Sequence, residues 1–302
     1  MGKKNPTRKK GFTPFLGELP EDYQAPERPR FAVLPFGYDF TATYQKGTAH
    51  GPRAILAASA QVEHYDEELR QETFRHGIET APPVVCREKP ERMLSLLEKS
   101  VLGFLAQGRL PVVLGGEHSI SLATFRALKK HLGLPPAVLH FDAHADLRDS
   151  YEKTRFGHGC VVRRMVDEGA KVLQVGIRSL CREEAEFITA SPDQVRTVWA
   201  HDLHRDFNLA LRALAWLPDT PLFVTIDLDV LDPSLLPGTG TPEPGGLNWP
   251  QLTSLLREAV ALRPVAACDL VELLPLRGLP ASDFVAARLA YRLMGYLSHL
   301  PQ

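Results

Sequence analysis

The chain has 302 residues, 44% hydrophobic and 24% charged, an ordinary globular composition that excludes a disordered or fibrous protein and supplies enough apolar surface for a large core. Its 35 basic and 36 acidic side chains leave a net charge of −1, so there is no molecule-wide field to gather nucleic acid or an anionic membrane. Function must come from a local site.

In chain order, a Pro- and charge-rich extension covers residues 1–30. Its basic start, Lys3, Lys4, Arg8, Lys9 and Lys10, reads as a solvated tail rather than a nucleic-acid arm. From residue 31 onward, short apolar runs alternate with amphipathic stretches. Strands are expected over 31–36, 111–114, 137–141, 171–175, 195–199, 221–228 and 265–270. Helices are expected over 91–107, 119–131, 203–216, 250–262 and 282–297. That alternation is the pattern of βαβ units on a mainly parallel sheet. No Gly/Ser linker or repeat divides the chain beyond residue 31, so 31–302 is expected to be a single α/β domain. No apolar run is long enough to cross a bilayer and the start lacks the apolar core of a secretory signal, so the protein is expected in the cytoplasm. Cys86, Cys160, Cys181 and Cys268 are scattered without a Cys-x-x-Cys pair and are expected to be reduced structural thiols.

Ligands of open parallel sheets bind beyond the carboxyl ends of the strands, and three such ends carry chemistry. After the run at 137–139 come Asp142, His144 and Asp146. Side chains of an extended strand alternate faces, so these three are expected on one side, successive ones roughly 6.5 Å apart. After 222–224 come Asp227 and Asp229, expected to share a face for the same reason. After 112–114 the paired Gly115-Gly116 turns the chain toward Glu117 and His118, with Ser119 as a candidate helix cap. Four carboxylates and two imidazoles balance two divalent cations, and left bare these carboxylates would repel one another and take up protons. An oxygen and imidazole set without thiolate favours manganese over a structural zinc.

The ordered set of Gly115-Gly116-Glu117-His118, Asp142-x-His144-x-Asp146, Asp227-x-Asp229-x-x-Asp232-Pro233 and Gly238-Thr239-Gly240-Thr241-Pro242 resembles the diagnostic motifs of the ureohydrolase family of arginases and agmatinases. Segments 47–55 (GTAHGPRAI) and 269–272 (DLVE) extend the resemblance over nearly the whole chain. It implies a three-layer α/β/α fold with a mainly parallel eight-stranded sheet, two Mn2+ ions per subunit and a homotrimer or homohexamer. By position, His118, Asp142, Asp146 and Asp229 would hold one metal, and Asp142, His144, Asp227 and Asp229 the other. Asp146 would also pass a proton from the attacking water to the leaving nitrogen, His158 would relay protons with solvent, and Glu272 would bind the guanidinium group. Glu117 departs from the Asp of most members at a position that is not a ligand.

The implied activity is hydrolysis of a guanidinium substrate to urea and an amine. The interval 147–157 contains no Asn of the kind arginases use to grip an α-amino acid, and Leu147-Arg148 with Tyr151 looks like an agmatinase-type branch. Agmatine or an aminopropyl-extended agmatine is therefore the leading substrate. Asp149 and Glu152 are candidates to hold a cationic tail, whereas Arg148 or Arg155 could hold a carboxylate, as guanidinobutyrate or formiminoglutamate hydrolysis would require. A reading of another class is a non-catalytic metal-binding scaffold on the same fold. A nucleotide-binding protein is set aside, because no Gly-x-Gly-x-x-Gly or Gly-Lys-Ser/Thr run is present.

Overall fold

The computed structural model describes residues 12–298, so the basic start lies outside the described residues. One sheet organises the molecule. Its strands are β1 (Phe31–Gly37), β2 (Ile78–Thr80), β3 (Val84–Val85), β4 (Leu110–Gly115), β5 (Ala137–Phe141), β6 (Val172–Ile177), β7 (Val195–Trp199), β8 (Leu222–Asp227) and β9 (Val265–Val271). Across the sheet they run β2-β1-β4-β9-β8-β5-β6-β7, with every neighbour parallel. β3 also pairs with β1, alongside β2, so nine strands fill eight positions. The edge position is broken at Pro82-Pro83, where two residues without an N–H interrupt the ladder. The eight-stranded parallel expectation thus holds with one divided strand.

Nine helices are α1 (Gly51–Ser59), α2 (Pro90–Leu105), α3 (Ser121–Leu132), α4 (Val161–Asp167), α5 (Arg182–Ala190), α6 (Ala200–Arg205), α7 (Asn208–Leu214), α8 (Trp249–Leu262) and α9 (Ala281–Ser298), among the described residues. The strands are apolar on both faces, as a doubly covered parallel sheet requires, and alternation sends their side chains into two cores. Val33, Leu114, Phe141, Ile226 and Leu270 pack with α1, α7, α8 and α9; Leu34, Val113, Val138, Phe223 and Ala267 pack with α2, α3 and α4. This is the three-layer architecture. The expected helix 203–216 is two helices, because Asp206 is extended (φ −147, ψ 96) and its carboxylate accepts from Asn208 N at 3.0 Å. α8 starts where Asn248 and Gln251 cap one another reciprocally at 2.9 Å, an arrangement worth about 1 kcal/mol.

Within the expected extension, Phe15 and Leu16 are buried in the core, and their amides donate to Thr80 Oγ1 and Ser59 Oγ. No described helix is long and apolar enough to cross a membrane.

Candidate metal centre

Four consecutive sheet positions, β4, β9, β8 and β5, end at one level. Ile226 lies opposite both Phe141 and Leu270, and Leu270 opposite Leu114. The chain therefore leaves the sheet at adjacent points toward His118, Glu272, Asp227 with Asp229, and Asp142 to Asp146, although these segments are far apart in sequence. The close approach at 116 needs glycine: a Cβ there would overlap the Tyr38 backbone, and Glu117 N donates to Tyr38 O at 2.7 Å.

All six candidate ligands converge. His118 Nδ1 lies 3.1 Å from Asp142 Oδ2, 3.2 Å from Asp227 Oδ2 and 3.4 Å from Asp146 Oδ2. His144 Nδ1 lies 2.9 Å from Asp229 Oδ2 and 3.5 Å from Asp142 Oδ1. Ligand atoms of His118, Asp142 and Asp146 thus gather on one side, and those of Asp142, His144 and Asp229 on the other, with Asp142 common to both. The alternation argument for this convergence does not hold. β5 ends at Phe141, and Asp146 turns back through a left-handed conformation (φ 53). β8 ends at Asp227, and a 3-10 turn over Leu228–Val230, closed by Asp229 N donating to Asp227 Oδ1 at 2.9 Å, aims Asp229 inward. Turns at the strand ends, rather than continued extension, gather the ligands. Ser119 is no helix cap either; its hydroxyl donates to Glu117 Oε1 at 2.6 Å.

Hydrogen bonds behind the site fix the imidazoles. Thr225 Oγ1 donates to Ser121 Oγ at 3.3 Å and so accepts from His118 Nε2 at 2.9 Å. In that tautomer the buried His118 Nδ1 turns a lone pair to three carboxylates without a hydrogen-bond partner, an arrangement that a cation or, lacking one, a second proton relieves. A buried acceptor aimed at acceptors is a poor arrangement for bare protein and a good one for a cation, so the residues present fit a divalent metal pair. His140, passed over in the sequence, supports the shared carboxylate. Thr197 Oγ1 donates to Gln174 Oε1 (3.1 Å), so the Gln174 amide nitrogen faces His140 Nδ1 (3.1 Å), and His140 Nε2 donates to Asp142 Oδ2 (2.8 Å). A second residue passed over is Arg178, whose guanidinium donates to the carbonyls of Gly176 (3.0 Å), Asp229 (2.6 Å) and Glu243 (2.8 Å), tying the Pro- and Gly-rich loop 236–246 to β6 and to the turn that carries Asp229. Asp232 holds the same loop through Gly245 N (2.8 Å) and Gly246 N (3.1 Å).

The electrostatics have one direction. Burial, then neighbouring carboxylates, pushes Asp146, Asp227 and Glu272 well above the ordinary carboxylate range. Burial opposes charge on Asp142, His118 and His144, yet their mutual pairing outweighs it, holding Asp142 well below its usual value and both imidazoles above theirs. Protons thus take the place that cations would fill.

The site opens into a cavity of about 260 Å3 whose walls include Tyr44, Gln45, Arg148, Tyr151, His158, Glu184 and Glu272. Glu272, in a left-handed conformation (φ 63), accepts from His118 N at 2.7 Å. Of the four charged residues considered for the substrate tail, Arg148 lines the cavity. Asp149 and Arg155 bond each other at 2.9 Å, and Asp149 also takes Arg164 at 2.7 Å, so neither is among the cavity's walls; nor is Glu152.

Residues 29–295 match the model of the Arginase family. The chain belongs to the arginase family. Among relatives of this arginase-family chain, an N(1)-aminopropylagmatine ureohydrolase of Synechocystis sp. is 38% identical over 270 residues, covering 87% of this chain and 88% of the relative. An agmatinase of Pyrococcus horikoshii is 32% identical over 269 residues, covering 88% and 91%. The crystal structure of an agmatine ureohydrolase of Thermoplasma volcanium superposes with a TM-score of 0.81 at 26% identity, covering 90% of this chain and 91% of that one. As in other metal sites, residues behind the ligands of an arginase-family centre set its affinity. His140→Phe, which keeps ring volume and removes the donor to Asp142, is expected to weaken metal binding ~10–100-fold in a calorimetric titration; unchanged affinity would mean that Asp142 is held without it.

Proposed function

We propose that this hydrolase cleaves a linear guanidinium compound to urea and an amine, using two divalent cations, manganese by preference, held by His118, Asp142, His144, Asp146, Asp227 and Asp229. The observation that carries the reading is the His118 Nδ1 lone pair facing three carboxylates beneath a cavity that also holds Glu272 and His158. When bound, such a metal pair lowers the pKa of water toward ~7 and so supplies a nucleophile at neutral pH.

The chain's own residues supply binding and proton transfer. Glu272 would pair with the guanidinium group at the wall of the cavity, once cations at the neighbouring carboxylates relieve the like charge that otherwise favours its proton. Asp146, a proposed ligand that also lines the cavity, would take a proton from water and give it to the leaving nitrogen. His158 lines the same cavity, and an imidazole there would exchange a proton with solvent or product. Agmatine and N1-aminopropylagmatine are the proposed substrates, a reading supported by the names of the relatives. A cytoplasmic homotrimer or homohexamer is the assembly that the family resemblance implies.

One observation favours a second reading. Arg148, stacked 4.8 Å from the Tyr151 ring, brings a cation to the cavity wall, which suits a carboxylate-ended guanidino compound such as guanidinobutyrate. Urea or formamide release from Mn2+-loaded protein over agmatine, aminopropylagmatine, arginine, guanidinobutyrate and formiminoglutamate separates the readings. The expected result is fastest turnover on the first two; no release from any of them would leave the scaffold reading. Glu272→Gln should lower kcat/KM for the preferred substrate about 100-fold, on the order of 3 kcal/mol for a lost charge-assisted pairing, and a change below threefold would remove Glu272 from the binding role.

A further inference from the structure

Glu117, one methylene longer than the Asp expected at its position, is completely buried yet is not a ligand. Its Oε1 accepts from Thr41 Oγ1 at 2.6 Å and from Ser119 Oγ at 2.6 Å, and its Oε2 accepts from Thr41 N at 2.8 Å. Thr41 stands at the start of the segment that supplies Ala42, Thr43, Tyr44 and Gln45 to the cavity wall. The same hydroxyl touches His158 twice, at 3.2 Å from its backbone N and 3.4 Å from Nδ1.

A threonine hydroxyl has one hydrogen. Three donors on the two Glu117 oxygens make the carboxylate the acceptor, so Oε1 takes that hydrogen and only the lone pairs of Thr41 remain for His158. His158 Nδ1 must then carry a hydrogen and donate, which leaves Nε2 as the acceptor. The Tyr151 ring, 5.7 Å away edge to face, and the guanidinium of Arg148 over Tyr151 wall the imidazole in from another side.

We propose that Glu117 and Thr41 are positioning residues for the reaction. Through one hydroxyl they set the tautomer of His158, and through the Thr41 amide they pin the wall segment 41–45 to the turn after β4 that carries His118. The proposal rests on His158 as the proton carrier for the activity proposed above. It assigns a task to the longer carboxylate: an Asp at 117 has one methylene less with which to reach both atoms of Thr41.

Three variants test it, each first checked for two bound metal ions per chain. Thr41→Val keeps the shape and removes the hydroxyl; kcat is expected to fall about tenfold or more, part of what a general acid–base group contributes, with KM changed less. Thr41→Ser restores the hydroxyl and should recover kcat to within about threefold of wild type. Glu117→Leu removes both acceptors from Thr41, and the 41–45 amides should then exchange with deuterium about tenfold faster or more, because their local opening is no longer opposed by that bond. The proposal is overturned if Thr41→Val retains wild-type kcat, if Ser rescues no better than Val, if exchange in Glu117→Leu is unchanged, or if the variants lose metal. Exchange is read without substrate, so a wild-type protein that released no urea would sink the hydrolase reading, while exchange would still decide whether Glu117 pins the wall.

Discussion

Asp227→Asn is expected to lower urea release about a thousandfold or more while making the metal-free protein more stable than wild type. Both effects come from one carboxylate. Asp227 is buried 3.2 Å from His118 Nδ1, and burial, followed by Asp229 and Asp142, disfavours its charge. In the absence of cations that charge opposes folding, and an amide removes it while still offering an oxygen to Asp229 N, the bond now made at 2.9 Å. With cations present, the same charge is needed to hold them, and a thousandfold loss corresponds to about 4 kcal/mol of transition-state stabilisation. Asp142→Ala and Asp229→Ala should lose activity as severely and bind fewer than two metal ions. They should not gain stability, because Asp142 is charged by preference among its imidazole neighbours and Asp229 Oδ1 accepts from Ala143 N at 3.0 Å. Thermal melts of chelated protein beside urea assays of Mn2+-loaded protein measure both sides; an Asp227→Asn variant that melts lower than wild type, or keeps a tenth of its activity, contradicts the account.

The sequence made the candidate ligands legible as a group because each follows an apolar run, and βαβ alternation places such ends on one edge of a parallel sheet. It left hidden what depends on strand order. Asp269, His140 and Gln174 are each the one strongly polar residue of their strands, while Thr225 shares β8 with Asp227 and Thr197 shares β7 with Arg196. The register sets Asp269 opposite Thr225, Thr225 opposite His140, His140 opposite Gln174, and Gln174 opposite Thr197. They form one polar rung across β9, β8, β5, β6 and β7, directly beneath the ligands. A polar residue inside a doubly buried strand was the available signal, but only the order of strands joins five isolated signals into a support. The edge pieces β2 and β3 were missed for another reason: two or three residues beside paired prolines carry too little periodicity to read. The turns that aim Asp146, Asp229 and Glu272 depend on two left-handed residues and a 3-10 turn, conformations that no local motif announced.

Removing the metal should expose a pH dependence that the loaded protein lacks. Above about pH 6.5, the ordinary histidine value, His140 and His158, both lowered by burial, are neutral whether the chain is folded or not, and Asp142, held low, is ionised in both states. These groups drop out of the balance. What remains are groups raised in the folded state: Asp146, Asp227 and Glu272 by burial and like charge, and His118 and His144 by pairing that outweighs burial. A folded state that binds more protons than the unfolded one loses stability as pH rises, so the chelated protein should melt progressively lower between pH 7 and 9. Cation binding supplants those protons and needs the ligands deprotonated, so its contribution grows over the same interval. Metal at roughly a thousand times its dissociation constant adds about 4 kcal/mol, on the order of 10 °C for a domain of this size. The gap in Tm between Mn2+-loaded and chelated protein is therefore expected to widen from pH 7 to 9; a gap that narrows would mean that the six side chains titrate independently of the metals they are proposed to hold.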